Sequence, residues 1–84
     1  MAVIITAELS PYPLDSGYAP TVRAYIEELQ QFESLDIRCH AMTTEIFGEY
    51  NLVMRATETA TGIVFEREDA TVLVAKLINR DRRV

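Results

Sequence analysis

Apolar and polar residues alternate from the first positions of the chain. Between Ala2 and Leu9, Val3, Ile5, Ala7 and Leu9 fall on one face of an extended strand, with Ile4, Thr6 and Glu8 on the other. All three prolines and Gly17 follow within Ser10 to Pro20, so no ladder or helix is expected to run through that stretch and it predicts a shaped loop. Pro20 suits the first turn of a helix, and Val22, Tyr25, Ile26, Leu29 and Phe32 recur at helical spacing between Arg23, Glu27, Glu28, Gln30 and Gln31. That helix is expected to reach about Phe32. From Leu35 the period becomes two, with Ile37, Cys39 and Ala41 against Arg38, His40 and Met42, which predicts a second strand. A tight connection near Met42 and Thr43 then leads into a short third strand, Thr43 to Phe47, ending at Gly48. Leu52, Val53, Ala56, Ala60, Ile63 and Val64 form a second helical stripe ending near Arg67, within which Gly62 costs roughly 1 kcal/mol relative to Ala. Glu66, Glu68 and Asp69 read as a solvated turn. Thr71 to Ile78 is a fourth strand in which Leu73, Ala75 and Leu77 oppose Val72, Val74 and Lys76.

The order β, α, β, β, α, β predicts an α+β, ferredoxin-like βαββαβ sandwich over residues 1–84, a single domain whose four-stranded antiparallel sheet carries both helices on one face. The other face is expected to stay open and to bear Ile4, Thr6, Arg38, Met42, Phe47, Val72 and Val74, more apolar area than a small monomer usually leaves wet. A chain of 84 residues buries only about 60 to 65% of its unfolded surface. Both points favour self-association, as a homodimer or higher homo-oligomer, packed sheet to sheet, or else a partner domain on that face. No repeat or linker divides the chain.

Composition narrows the function. The apolar share of 49% and charged share of 25% are those of a globular protein, and the net charge of −5 opposes nucleic acid as a partner, because phosphate binding needs clustered Lys and Arg. Arg80, Arg82 and Arg83 sit beside Asp81 and read as a solvated tail. An acidic chain more readily holds a cationic or weakly basic ligand. The apolar run Met1 to Thr6 is too short for a secretory segment or for a membrane span of about 20 residues, so no membrane partner and a cytoplasmic location are expected. The single cysteine, Cys39, cannot form an internal disulfide and fits a reducing compartment, where it reads as a small core residue.

Catalytic signatures are missing. There is no Gly-Lys phosphate loop, no Gly-x-Ser-x-Gly elbow and no zinc-like ligand spacing, so no metal, no cofactor and no enzymatic activity are expected. Cys39 and His40 are neighbours on one strand, point to opposite faces and cannot form a dyad. His40 reads as an interface or solvent-facing imidazole. An enzyme acting through His40 or paired carboxylates is the least favoured class.

Two polar segments stand out. Glu8, Ser10 and Tyr12 lead into a stretch stiffened by Pro11 and Pro13, and Met42, Thr43, Thr44 and Glu45 place hydroxyls beside a carboxylate. Their plainer reading is ordinary turn and sheet-surface chemistry. Ala7-Glu8-Leu9-Ser10-Pro11-Tyr12-Pro13-Leu14, and Met42-Thr43-Thr44-Glu45-Ile46-Phe47-Gly48-Glu49-Tyr50 followed by Val53-Met54, occur in this order. In these segments the chain resembles the YkoF-like thiamine and hydroxymethylpyrimidine-binding family, within the wider thiamine-binding-protein-like superfamily of small ferredoxin-like proteins. The segments look like the family's Ser-x-Tyr-Pro and hydroxyl-Thr-x-x-x-Gly segments, with Pro11 as one additional residue, and the resemblance covers most of the chain.

The resemblance implies that Ser10, Tyr12, Thr43 and Thr44 belong to a ligand pocket, that Gly48 is structural, and that a homodimer supplies the second of the two units that YkoF carries in one chain. An aminopyrimidine offers a donor beside an acceptor and a flat face. Thr43, Thr44 and Ser10 would hydrogen-bond it, and Glu8 or Glu45 would pair with its amino group or a thiazolium charge. Tyr12, Phe47 or Tyr50 would stack on it, the cation–π part being about 0.5 to 2 kcal/mol. The expected function is non-enzymatic binding of thiamine, hydroxymethylpyrimidine or a related heterocycle, as a carrier, salvage component or sensor. The alternative is a dimeric regulatory or protein-interaction domain without a small-molecule pocket.

Overall fold

The structure, a computed structural model, describes residues 3–14, 18–67 and 70–83. Its elements are β1 (Ile4–Pro13), α1 (Tyr18–Leu29), β2 (Asp36–Cys39), β3 (Thr44–Glu49), α2 (Tyr50–Arg67) and β4 (Thr71–Ile78). The strands pair antiparallel in the order β2-β3-β1-β4, and one face of the sheet carries both helices, giving the α+β ferredoxin-like arrangement the pattern predicts. Ile5, Ala7 and Leu9 of β1 and Ile46 of β3 pack against Tyr25 and Leu29 of α1 and Val53, Ala56, Ala60 and Val64 of α2. Alternation on the strands and the three-and-four spacing on the helices thus meet in one core. The Tyr25 hydroxyl meets Thr61 Oγ1 at 3.0 Å inside it, and burial raises that phenol's pKa above its ordinary value.

β1 corrects the expectation of a loop from Ser10. The strand continues through Ser10, Pro11, Tyr12 and Pro13, opposite Val74, Leu73, Val72 and Thr71 of β4. Leu14 N–H donates to Ala70 C=O at 2.8 Å, so even-numbered residues of β1 direct their backbone groups toward β4 and odd-numbered ones away from it. Pro11 and Pro13 therefore present their missing N–H groups to the side of β3, whose pairing with β1 has already ended at Leu9 and Thr44. No ladder bond is lost, and Pro11 lies in a continuous register. Gly17 and residues 15 and 16 of the expected loop lie outside the described residues, as do Glu68 and Asp69 of the polar turn.

Three further boundaries differ. α1 ends at Leu29, and the chain tightens through i to i−3 bonds from Gln31 to Glu28 and from Phe32 to Leu29. β3 passes into α2 without a spacer, because the Glu49 carboxylate accepts from the N–H groups of Asn51 at 3.1 Å and Leu52 at 3.3 Å and caps the helix. Cys39 is exposed at the end of β2, not in the core, because the strand stops there and no helix covers it.

The open sheet face is not wholly open. Ile4, Thr6, Arg38, Phe47, Val72 and Val74 share it, as expected, but the C-terminal segment after β4 turns back across it. Thr6 Oγ1 donates to Arg80 C=O at 2.8 Å and accepts from Arg82 N–H at 2.9 Å. Arg83 then lies over the Phe47 ring, 5.4 Å from its centroid, with Arg38 at 5.2 Å. Thr6 and Phe47 each keep 2% of their exposure as a result. The segment with the three arginines stays exposed, as a solvated tail would, but it lies across the sheet as a strap, with Arg83 reaching Asp36 of β2 at 3.4 Å and Asp81 within the strap at 2.6 Å.

Candidate functional site

Beside the strap, the same sheet face keeps a cavity of about 230 Å³ lined by Glu8, Ser10, Tyr12, Met42, Thr43, Val74 and Lys76. Its floor comes from even-numbered residues of β1 and β4, paired Glu8 with Lys76 and Ser10 with Val74. Its wall is the turn joining β2 to β3, closed by a bond from His40 N–H to Thr43 C=O at 2.8 Å. Ser10 fastens that turn to β1, since its hydroxyl lies 3.2 Å from Met42 C=O and 3.1 Å from Thr43 Oγ1, while Thr43 Oγ1 donates to Leu9 C=O at 3.3 Å. Both hydroxyl protons are spent within the protein, so Ser10 faces the cavity chiefly as an acceptor.

The floor holds one carboxylate, Glu8, and one ammonium, Lys76. Glu8 of β1 sits directly opposite Glu45 of β3, and each carboxylate has basic residues on its other side, Lys76 for Glu8 and Arg38 and His40 for Glu45. Glu8 Oε1 lies 3.8 Å from Lys76 Nζ, and Glu45 Oε1 lies 2.7 Å from His40 Nε2. Like charges opposite one another on a sheet repel, so a cationic group placed between them would relieve the pair. Across the four strands the register thus runs Arg38, Glu45, Glu8, Lys76, two carboxylates between two cations.

The structure brings four of the eight expected site residues, Glu8, Ser10, Tyr12 and Thr43, into this one cavity. Glu45 adjoins its floor through the Glu8 register. Thr44 is buried on the opposite, helix-bearing face, sharing the parity of Ile46 and Gly48. Phe47 lies beneath Arg38 and Arg83. Tyr50 opens the second helix and lines a separate, apolar cavity with Val3, Ile5, Leu77, Ile78 and Asn79. Val74 and Lys76 were not expected in the site. Their signal was the strand-four alternation, which puts them on the face shared with Glu8 and Ser10.

Gly48 has a steric role at the back of this sheet, where an added Cβ would come within 2.8 Å of Leu35 Cδ2. Among the described residues no group of three metal-ligating side chains comes together, and no helix is long and apolar enough to cross a membrane.

No family model matches the chain, and no curated protein matches it in sequence. Solved structures do. A hypothetical protein from Methanocaldococcus jannascii is 25% identical, with a TM-score of 0.81, over 96% of this chain and 84% of that one. A protein from Streptococcus pneumoniae superposes with a TM-score of 0.84 at 18% identity, over 94% of this chain and 89% of that one. A candidate thiamine biosynthesis or salvage protein from Thermotoga maritima gives a TM-score of 0.78 at 14% identity, over 88% of this chain and 81% of that one. At such identities the likeness concerns the fold. It shows the ferredoxin-like α+β fold alone.

Proposed function

We propose that this protein is a non-enzymatic, cytoplasmic binder of a small cationic or weakly basic heterocycle, thiamine or its hydroxymethylpyrimidine moiety. The observation that carries the reading is the convergence of Glu8, Ser10 and Tyr12 with the Met42–Thr43 turn on one cavity, beside the facing carboxylates of Glu8 and Glu45. An aminopyrimidine entering it donates its exocyclic N–H to Ser10 Oγ or the Glu8 carboxylate and lays its face on Tyr12, while a thiazolium charge relieves the Glu8–Glu45 repulsion. The fold shared with a thiamine-related protein and the YkoF-like segments support the same chemistry. No reaction is assigned, and a carrier, salvage or sensing role follows from binding alone.

Isothermal calorimetry with thiamine, and separately with hydroxymethylpyrimidine, tests this. Saturable heat near one ligand per chain is expected, weakened about tenfold or more in Glu8→Gln, because a hydrogen bond to a charged group contributes about 1.5 to 3 kcal/mol. Absence of heat with both compounds at sub-millimolar concentration contradicts the reading.

A further inference from the structure

We infer that the cavity takes the phosphomonoester of its heterocycle, with the ring in the cavity and the phosphate on Arg80 and Arg82 of the C-terminal strap. This rests on the ligand-binding reading and names the form of the ligand. The cavity cannot hold such a molecule whole. Its volume of about 230 Å³ falls short of the roughly 300 Å³ at which ligand sites begin, so a substituent on a bound ring must run out along the sheet face. Two directions follow β1. Toward its end, the paired residues Pro11 to Pro13 and Thr71 to Leu73 bear no charge. Toward its start, the next residue after Glu8 on the same face is Thr6, about 7 Å along the strand. Its hydroxyl holds the strap, through Arg80 C=O at 2.8 Å and Arg82 N–H at 2.9 Å.

The strap is where this acidic chain concentrates positive charge. Residues 80–83 carry three arginines to one aspartate. Of the eight Lys and Arg, the helices hold Arg23, Arg55 and Arg67, and the other five lie on this sheet face or in the strap. Their partners separate them into two groups. Arg38 and Arg83 share one carboxylate oxygen, Asp36 Oδ2, at 3.3 and 3.4 Å, and both stand over Phe47. Arg83 also meets Asp81 at 2.6 Å. Arg80 and Arg82 are exposed, and among the described residues neither guanidinium meets a carboxylate or a ring. Arg83 thus fastens the strap, and two guanidinium groups remain beside the cavity for a ligand.

The ligand chemistry follows from those two groups. A phosphomonoester carries about −1.5 to −2 charges at neutral pH, which two arginines balance, and the planar guanidinium fork matches phosphate oxygens two at a time. Thiamine and hydroxymethylpyrimidine each carry a primary alcohol, where such an ester forms. The face then reads a bipolar molecule. Its basic ring meets Glu8 beside Glu45, and its anion lies past Thr6 on the strap, whereas the reversed pose would set phosphate against Glu8 and a cation against Arg80 and Arg82. Lys76, 3.8 Å from Glu8, stands on the rim of the same cavity.

Calorimetry with thiamine and its monophosphate, and with hydroxymethylpyrimidine and its phosphate, tests this, with inorganic phosphate alone as a further arm. Each ester is expected to bind about tenfold or more tighter than its alcohol at low salt, through charge-assisted hydrogen bonds. That ratio should shrink at about 1 M salt, where charges are screened within about 3 Å. Arg80→Gln combined with Arg82→Gln should bring the ratio toward one. Arg23→Gln combined with Arg55→Gln changes the net charge equally on the helices and should leave the ratio as it was. Esters no tighter than alcohols, a ratio that survives loss of the strap arginines, an equal fall in the helix variant, or inorganic phosphate bound as tightly as the esters overturns the inference. Alcohols that bind as well as their esters leave the function standing without it. Esters that bind where both alcohols give no heat uphold the inference and contradict binding of the free heterocycle, and no heat from any of the four contradicts both.

Discussion

Thr6 joins two distant parts of the chain through one hydroxyl, donating to Arg80 C=O and accepting from Arg82 N–H. Each such bond contributes about 0.5 to 1.5 kcal/mol, so Thr6→Val, close in shape, is expected to lower the urea unfolding free energy by about 1 to 3 kcal/mol. Gly48→Ala is expected to lose about 1 to 3 kcal/mol in the same measurement, since Leu35, itself buried, must move aside for the new methyl. The site residues were partly legible for a simple reason. Glu8, Ser10 and Tyr12 share parity on a strand, so any fold that exposes one exposes all three on the same face. Thr43 and Thr44 show the converse, because consecutive residues entering a strand face opposite ways, and the sequence alone does not say where the turn stops and the alternation starts.

At the scale of elements, periodicity located all six, and Thr71 to Ile78 coincides with β4 residue for residue. Pro11 and Pro13 misled because the rule against proline in a ladder depends on whether a neighbour needs the missing N–H. Here β3 is too short to need it, which only the assembled sheet reveals. The strap was illegible because its anchors, Thr6 and Phe47, lie far away in sequence. Its stability should depend on acid. The Arg83 guanidinium beside Asp81 lowers that carboxyl's pKa from 3.8 to about 2. A depressed carboxyl pKa gives a contribution that is complete above pH 3.8 and is lost as the pH falls through about 2. Proton NMR should show Arg83 side-chain signals shifted upfield by the Phe47 ring at neutral pH and returning toward random-coil positions across that acid range. Persistence of the shift to pH 1 would mean that Asp81 does not hold the strap.

For the whole molecule, one face of the sheet is closed by the helices and the other is divided between the strap and the cavity. The strap keeps Phe47 from ligands and leaves Glu8, Ser10, Tyr12 and Thr43 accessible, so binding is expected without release of the tail. A ligand held there stabilises the folded state in proportion to its affinity, raising Tm with concentration. The most direct test is a titration with thiamine followed by backbone amide NMR. The account predicts progressive, saturable shifts concentrated at Ser10, Tyr12, Met42, Thr43, Val74 and Lys76. Shifts centred instead on Val3, Tyr50 and Asn79, or no shifts at millimolar thiamine or hydroxymethylpyrimidine, would contradict it.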